Sequence, residues 1–311
     1  MESSVETEAK QATGRRRIGG PDWPTLGLAI TIYGLWGSAT FFHAEIAWPF
    51  LALAGGWLTA WHGSLQHEII HGHPTPSRRL NTLIGLPPLS LWLPFEAYRQ
   101  SHLAHHATEH LTDPAHDPEA RYLPASASRP HRAAAALQAS LLGRLILGPF
   151  IEIAGFWLIE ARRVLRGEPG RLGLWAGHGL AVALVVGWLV WVCHMPIGLY
   201  LACFVYPGAA LSLLRSYAEH RAGDTPSHRV AVVERAPILG LLFLHNNLHA
   251  AHHDWPAAPW HQLPALYARD RERLLSTNGG LVYDGYGEVV RRFLLTPHDS
   301  AIHPSADGAA A

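Results

Sequence analysis

Residues 47–73 read AWPFLALAGGWLTAWHGSLQHEIIHGH. From Ala47 to Leu65 the stretch carries no formal charge, and it is long enough to cross a bilayer as a helix, which takes about 20 residues. Two residues later comes His67-Glu-Ile-Ile-His71, followed by Gly72 and His73. Positions i and i+4 share one face of a helix, so His67 and His71 can converge on one point. An apolar span that runs out into a histidine pair sets the terms for the rest of the chain.

Three more uncharged apolar runs resemble Ala47–Leu65: Pro24–Phe42, Leu172–His194 and Pro196–Leu214. They form two pairs with very short connections, His43–Ile46 in the first and a turn around His194-Met195-Pro196 in the second. The expected fold class is all-α and integral to a membrane: four transmembrane helices in two hairpins, with a cytoplasmic helical cap carrying the histidine clusters. Composition agrees. Charged residues make up 15% of the 311, hydrophobic ones 49%, and there are 12 Trp. Formal net charge is zero, which removes any bulk electrostatic case for nucleic acid. The short turns contain no Lys or Arg; every basic residue lies in the N-terminal tail, between the hairpins or after the second. The positive-inside rule then places both termini and the middle segment in the cytoplasm.

Two further apolar stretches do not read as ordinary spans. Asn81–Phe95 is too short and is interrupted by Pro87, Pro88 and Pro94, which suits a re-entrant or interfacial segment. Ala133–Ile159 carries Arg144 and Glu152 around Pro149, which suits an amphipathic helix in the interface. The chain divides into a disordered cytoplasmic tail (1–22), a membrane domain (23–299) and a disordered C-terminal tail (300–311). Cys193 and Cys203, the two cysteines, lie in apolar runs and make no disulfide framework.

Histidine is the outlier, at 22 residues. Besides the first pair there are His102-Leu-Ala-His105-His106 and His249-Ala-Ala-His252-His253, each with helical i, i+3, i+4 spacing. His245 extends the last face by one turn. Imidazole suits Fe, Zn, Cu and Ni. One ion takes about four to six ligands, so the eight histidines of these clusters imply two metals. Glu68 and Glu219, each beside a proposed ligand, can accept the second N–H of a metal-bound imidazole. His245, His73 and Asn247 are further supporting or possible ligand positions. Asp113 and Asp117 precede Pro and read as turn or helix-cap residues. A non-enzymatic alternative, a membrane metal-binding or transport protein, would carry its ligands inside the spans rather than at their ends.

The order HxxxH, HxxHH, HxxHH, interleaved with two membrane hairpins, resembles the membrane fatty acid desaturase and hydroxylase superfamily. The resemblance runs from about Trp57 to Arg292 and includes Tyr98-Arg-Gln-Ser-His-Leu-Ala-His-His106, Asn246-Asn-Leu-His-Ala-Ala-His-His253 with Pro256, Pro259–Trp260 and Leu263–Pro264 after it, and Leu214-Arg-Ser-Tyr-Ala-Glu-His-Arg221. The last stretch resembles one that supplies a further ligand in related enzymes. That adds His220 and brings the expected metal ligands to nine: His67, His71, His102, His105, His106, His220, His249, His252 and His253. The resemblance implies a di-iron centre that activates O2 and desaturates a fatty acyl chain or related lipid. A hydroxylase or ketolase acting on an alkane, sterol or carotenoid is the alternative. His73-Pro-Thr-Pro is not a haem-binding His-Pro-Gly-Gly, so electrons are expected from a separate protein such as a ferredoxin or cytochrome b5. A substrate channel is expected between the spans, lined by Trp57, Trp61 and Trp92. The topology is directly testable: tags at Glu45 and Met195 should be reached only from outside the cell, and tags at both termini only from the cytoplasm. A C-terminal tag labelled from outside would overturn this topology.

Overall fold

The computed structural model describes residues 20–223 and 225–304. The first expected pair is α1 (Trp23–Phe41) and α2 (Trp48–Ile70), joined by a single turn over His43–Glu45. Asp22 starts α1 by accepting from the Thr25 hydroxyl at 2.6 Å, and Pro24 sits in the first turn, where its missing N–H costs nothing. Asp22 is buried. The expected N-terminal tail therefore cannot extend to residue 22; residues 1–19 lie outside the described residues. Helix α2 runs five residues past Leu65. It stops where His71 caps it and Gly72 takes a left-handed φ of +105°.

The middle segment comprises α3 (Arg78–Gly85), the irregular stretch 86–94, α4 (Phe95–Ala107), α5 (Arg129–Leu137), α6 (Leu141–Ile146) and α7 (Gly148–Leu165). The expected single amphipathic helix over Ala133–Ile159 is thus broken into three. Ser140 caps a new start by accepting from Gly143 N at 3.2 Å, and Pro149 occupies the first turn of the next helix. Arg144 and Glu152, which frame this break, pair at 2.8 Å.

The second pair is α8 (Arg171–Val192), ending in a π-helical turn, and α9 (Ile197–Glu219), with a π-helical turn over Leu201–Val205. At 22 and 23 residues these two helices are long and apolar enough to cross a membrane. Helices α1 and α2 (19 and 23 residues) do not stand out in this way: α1 carries three Thr, and His62, Gln66 and Glu68 lie in α2. By composition, then, two spans stand out rather than the four expected. All the same, Ile30 on α1 and Trp48, Phe50 and Leu53 on α2 are as exposed as Leu180, Leu184 and Trp191 on α8.

Helices α2 and α9 meet backbone to backbone. A Cβ on Gly55 would stand 2.5 Å from the Cys203 carbonyl, and one on Gly208 would stand 2.6 Å from Thr59 Cβ. Small residues permit this approach, as they do between membrane helices generally. Tyr200, fully buried, donates to Leu89 O at 2.6 Å and accepts from Trp36 at 3.0 Å, tying α1, α9 and the irregular stretch together.

The C-terminal third holds α10 (Pro237–Leu242), α11 (His249–Asp254), α12 (Leu263–Thr277) and α13 (Tyr286–Phe293). Among the described residues the named strands are β1 (Val232–Val233) and β2 (Val282–Tyr283), paired in parallel within an otherwise helical chain. Strand β1 acts as a rail. Ala231 N donates to Glu219 O and Val233 N to Asn247 O, both at 2.8 Å, so the end of α9 and the third histidine cluster share one backbone support.

Residues 300–304, expected to be disordered, instead form a strap; 305–311 lie outside the described residues. Leu123 N donates to Ala301 O at 2.8 Å, His303 N donates to Leu123 O at 3.0 Å, and His303 Nε2 lies 3.0 Å from the Thr112 hydroxyl. Just upstream, Asp299 pairs with Arg121 at 3.1 Å and accepts from the Tyr122 hydroxyl. The strap holds the 111–123 loop through a partly buried ion pair and backbone bonds that the sequence pattern does not announce. Removing residues 298–311 should lower the thermal midpoint by roughly 5–10 °C, the scale set by about 3 kcal/mol for orphaning an ion-pair partner. Hydrogen exchange of residues 111–123 should rise in parallel; unchanged exchange there would show that the strap does not hold the loop.

Candidate metal centre

The histidines are delivered by four elements. His67 lies in the last turn of α2 and His71 caps it; α4 carries His102, His105 and His106; the six-residue α11 carries His249, His252 and His253. His220 follows α9 but is not helical. Its backbone is extended (φ −131°, ψ 143°) and bridges Val230.

All nine expected ligands are brought together, in two groups. His67, His71, His102, His106 and His252 form one; His105, His220, His249 and His253 form the other. Within each group the ligand nitrogens lie within 4.8 Å of one another. The groups adjoin, with the rings of His106 and His253 stacked at 4.5 Å. In the first group, Nε2 of His102 is 2.9 Å from that of His71 and 3.1 Å from that of His106, which is 3.0 Å from that of His252. In the second, Nε2 of His249 is 2.8 Å from that of His220 and 3.2 Å from that of His253. Two imidazoles on one ion at about 2.1 Å hold their nitrogens roughly 3.0–3.4 Å apart, so the observed spacing fits shared metals. The Nε2 of His67 is buried with no hydrogen-bond partner among the described residues.

The opposite ring nitrogens face oxygen. Nδ1 of His105 lies 2.9 Å from Asp117, Nδ1 of His102 3.2 Å from Glu119, Nδ1 of His220 3.1 Å from Arg229 O, and Nδ1 of His249 3.1 Å from Asn246 Oδ1. Each such bond places the proton on Nδ1 and leaves the Nε2 lone pair facing the group. Electrostatics favours the same neutral state. Burial first, then neighbouring imidazoles, pushes His249, His252 and His253 well below the usual histidine range, His106 to about 2 and His220 to about 3. His105 differs: burial lowers it, but its hydrogen bond to Asp117 and the charge of Glu119 carry it upward overall. Burial opposes ionisation of Glu119, yet His102, His105 and Arg215 hold it down at about 2.

The supporting positions fall differently from expectation. Glu219 reaches His249 only at 3.6 Å and works through Asn246, whose amide donates to it at 2.8 Å. Asn246 therefore does what the sequence suggested for Asn247, which donates instead to Val233 O at 2.7 Å. Glu68 stays 4.0 Å from His67 and accepts from Trp260 N at 3.0 Å. His73 joins neither group; it lies 3.1 Å from Asp22 and helps to hold the start of α1. His245 also stays out, stacked on Trp260 at 5.8 Å. Leu244 and His245 have φ of +49° and +58°, so no helix links His245 to His249 and the one-turn extension fails. Asp117 both supports the turn, accepting from Thr112 N at 2.8 Å, and orients His105. Glu119 was not singled out by the sequence; its only signal is an acidic residue in the turn that follows the second cluster.

A cavity of about 360 Å3 is lined by His102, His220 and His249 and also by Trp92, Ile153 and Phe156. It thus joins both histidine groups to apolar wall. Trp92 meets the channel expectation. Trp57 and Trp61 do not: they line a separate apolar groove with Leu35, Phe42 and Leu58.

The family model described as fatty acid desaturase matches residues 45–285. The chain belongs to the fatty acid desaturase family. No curated protein matches it. Membership makes this desaturase-family chain an oxidoreductase of the desaturase or hydroxylase type, with a lipid substrate and a membrane setting, and its histidine groups are able to hold metal. The placement of His220 and His245 gives a sharp test. His220→Ala should be metal-poor and inactive. His245→Ala should keep its metal and lose at most about 10–100-fold in affinity or activity, as outer-layer changes do. Metal analysis and product yield of both variants decide it, and the reverse ranking would overturn the assignment.

Proposed function

We propose that this chain is an O2-dependent di-iron oxidoreductase that removes two hydrogens from a fatty acyl chain or related lipid, with electrons delivered by a separate carrier protein such as a ferredoxin or cytochrome b5. The observation that carries the reading is the convergence of nine imidazole nitrogens in two adjoining groups beside one cavity. An all-imidazole donor set is compatible with iron. In group one His67, His71, His102, His106 and His252 would hold one ion; in group two His105, His220, His249 and His253 would hold the other. Bound there, a pair of irons supplies activation of O2 and the oxidising power to break an unactivated C–H bond.

The protein's own residues do the rest. Asp117, Glu119, Asn246 and the Arg229 carbonyl fix ring orientation through Nδ1. Trp92, Ile153 and Phe156 supply apolar wall that would position an alkyl chain and exclude water.

The same reading extends to topology. The proposed domain takes in 23–299, with Asp22 and the strap of residues 300–304 packed on it, and has α1, α2, α8 and α9 as four crossings in two hairpins and both termini and the metal centre in the cytoplasm. The exposed apolar side chains on α1 and α2 support their inclusion, since such surfaces in water mark contact with another apolar phase. The test is chemical. Chain purified from iron-supplemented cells should hold close to two irons, and lipid profiles of cells with and without the gene should differ by a double bond. One zinc per active chain would overturn the di-iron reading; an added hydroxyl would replace desaturation by hydroxylation.

A further inference from the structure

Arg215 stands on α9 one turn before Glu219, in the wall of the cavity that both histidine groups line. Its surroundings are two-sided. On one side its Nε lies 3.0 Å from Glu219 Oε1. Glu219 accepts from Asn246 at 2.8 Å, and Asn246 accepts from His249 Nδ1 at 3.1 Å. On the other side Tyr98 lines the same cavity, and its ring lies 5.8 Å from that of His102. Its charge also acts on Glu119, which lies 3.2 Å from His102 Nδ1. Glu119, Arg215 and Glu219 all line the one cavity, so the Arg215 charge acts on both carboxylates.

We propose that Arg215 is a positioning residue that couples the two metal sites, holding His102 of one group through Glu119 and Tyr98 and His249 of the other through Glu219 and Asn246. The inference rests on the paired-metal reading above. Geometry explains the choice of arginine. A guanidinium offers five donors in a rigid fork and can address two acceptors at once, whereas an ammonium acts as a single point charge. The two flanking carboxylates also argue against Arg215 as an anchor for an anionic substrate, because its charge is already matched.

The test uses the full chain in detergent, stripped of metal and titrated with Co(II), with ligand-field absorption reporting each site. The wild type should take up two ions. Arg215→Met should weaken both sites by about 10–100-fold. Double-mutant cycles should be non-additive with Glu119→Gln at one site and with Glu219→Gln at the other, because the partners belong to one network. Arg215→Lys, which keeps the charge but loses the fork, should show a smaller loss at both sites and carries the test if Arg215→Met does not fold. Weakening at one site only, additivity with either carboxylate variant, or full wild-type affinity in Arg215→Lys would overturn the coupling role. A wild-type chain binding fewer than two Co(II) ions would instead overturn the paired-metal reading itself.

Discussion

The structure depends on holding nine imidazoles so that their nitrogens converge in two adjoining groups. Left protonated, they would repel one another in a space that burial has already made hostile to charge. The solution is asymmetric at each ring whose far side is defined: Nδ1 gives its proton to an oxygen, and Nε2 faces the shared centre. Those oxygens come from two carboxylates, one amide and one backbone carbonyl. The two carboxylates, Asp117 and Glu119, bring negative charge that bound cations would in part offset.

The scaffold's irregularities serve that arrangement. Helix α2 ends at Gly72 just after its second histidine, so His71 points from a helix end rather than from mid-helix. His220 sits past the end of α9 in extended backbone, where Val230 pairs with it and where its Nδ1 meets Arg229 O. The third cluster follows two left-handed residues, Leu244 and His245, that reset the chain direction before α11 begins. Regular helix supplies the i, i+3, i+4 faces, and breaks in the helices supply the convergence.

The close approach of α2 and α9 through Gly55 and Gly208 matters for the same reason. It sets the distance between the helix that carries His67 and the helix that leads to His220. The cavity lies alongside this contact, with small residues such as Gly63, Ala209 and Ser212 in its wall. Space for a substrate and rigidity for a metal centre thus arise from one feature, the absence of bulk where the two helices face each other.

The sequence by itself determined the three histidine clusters, because helical periodicity is local and puts i, i+3 and i+4 on one face wherever a helix forms. It also determined the apolar runs, since length and composition are additive along the chain. His220 was legible only through family resemblance; nothing in its local spacing links it to residues 249–253. Tertiary structure decided what depends on direction rather than composition. Asn246 rather than Asn247 supports His249, because a one-residue offset in irregular backbone reverses which side chain faces inward. Asp117 and Glu119 orient His105 and His102 because a loop folds back over α4, held by a C-terminal strap that reads as a disordered tail. Ala133–Ile159 breaks into three helices because Ser140 and Pro149 offer new helix starts that its apolar content hides. The strap contacts join residues far apart in the chain, whereas Ser140 and Asn246 act on residues three positions on through irregular backbone; helical periodicity carries information about neither.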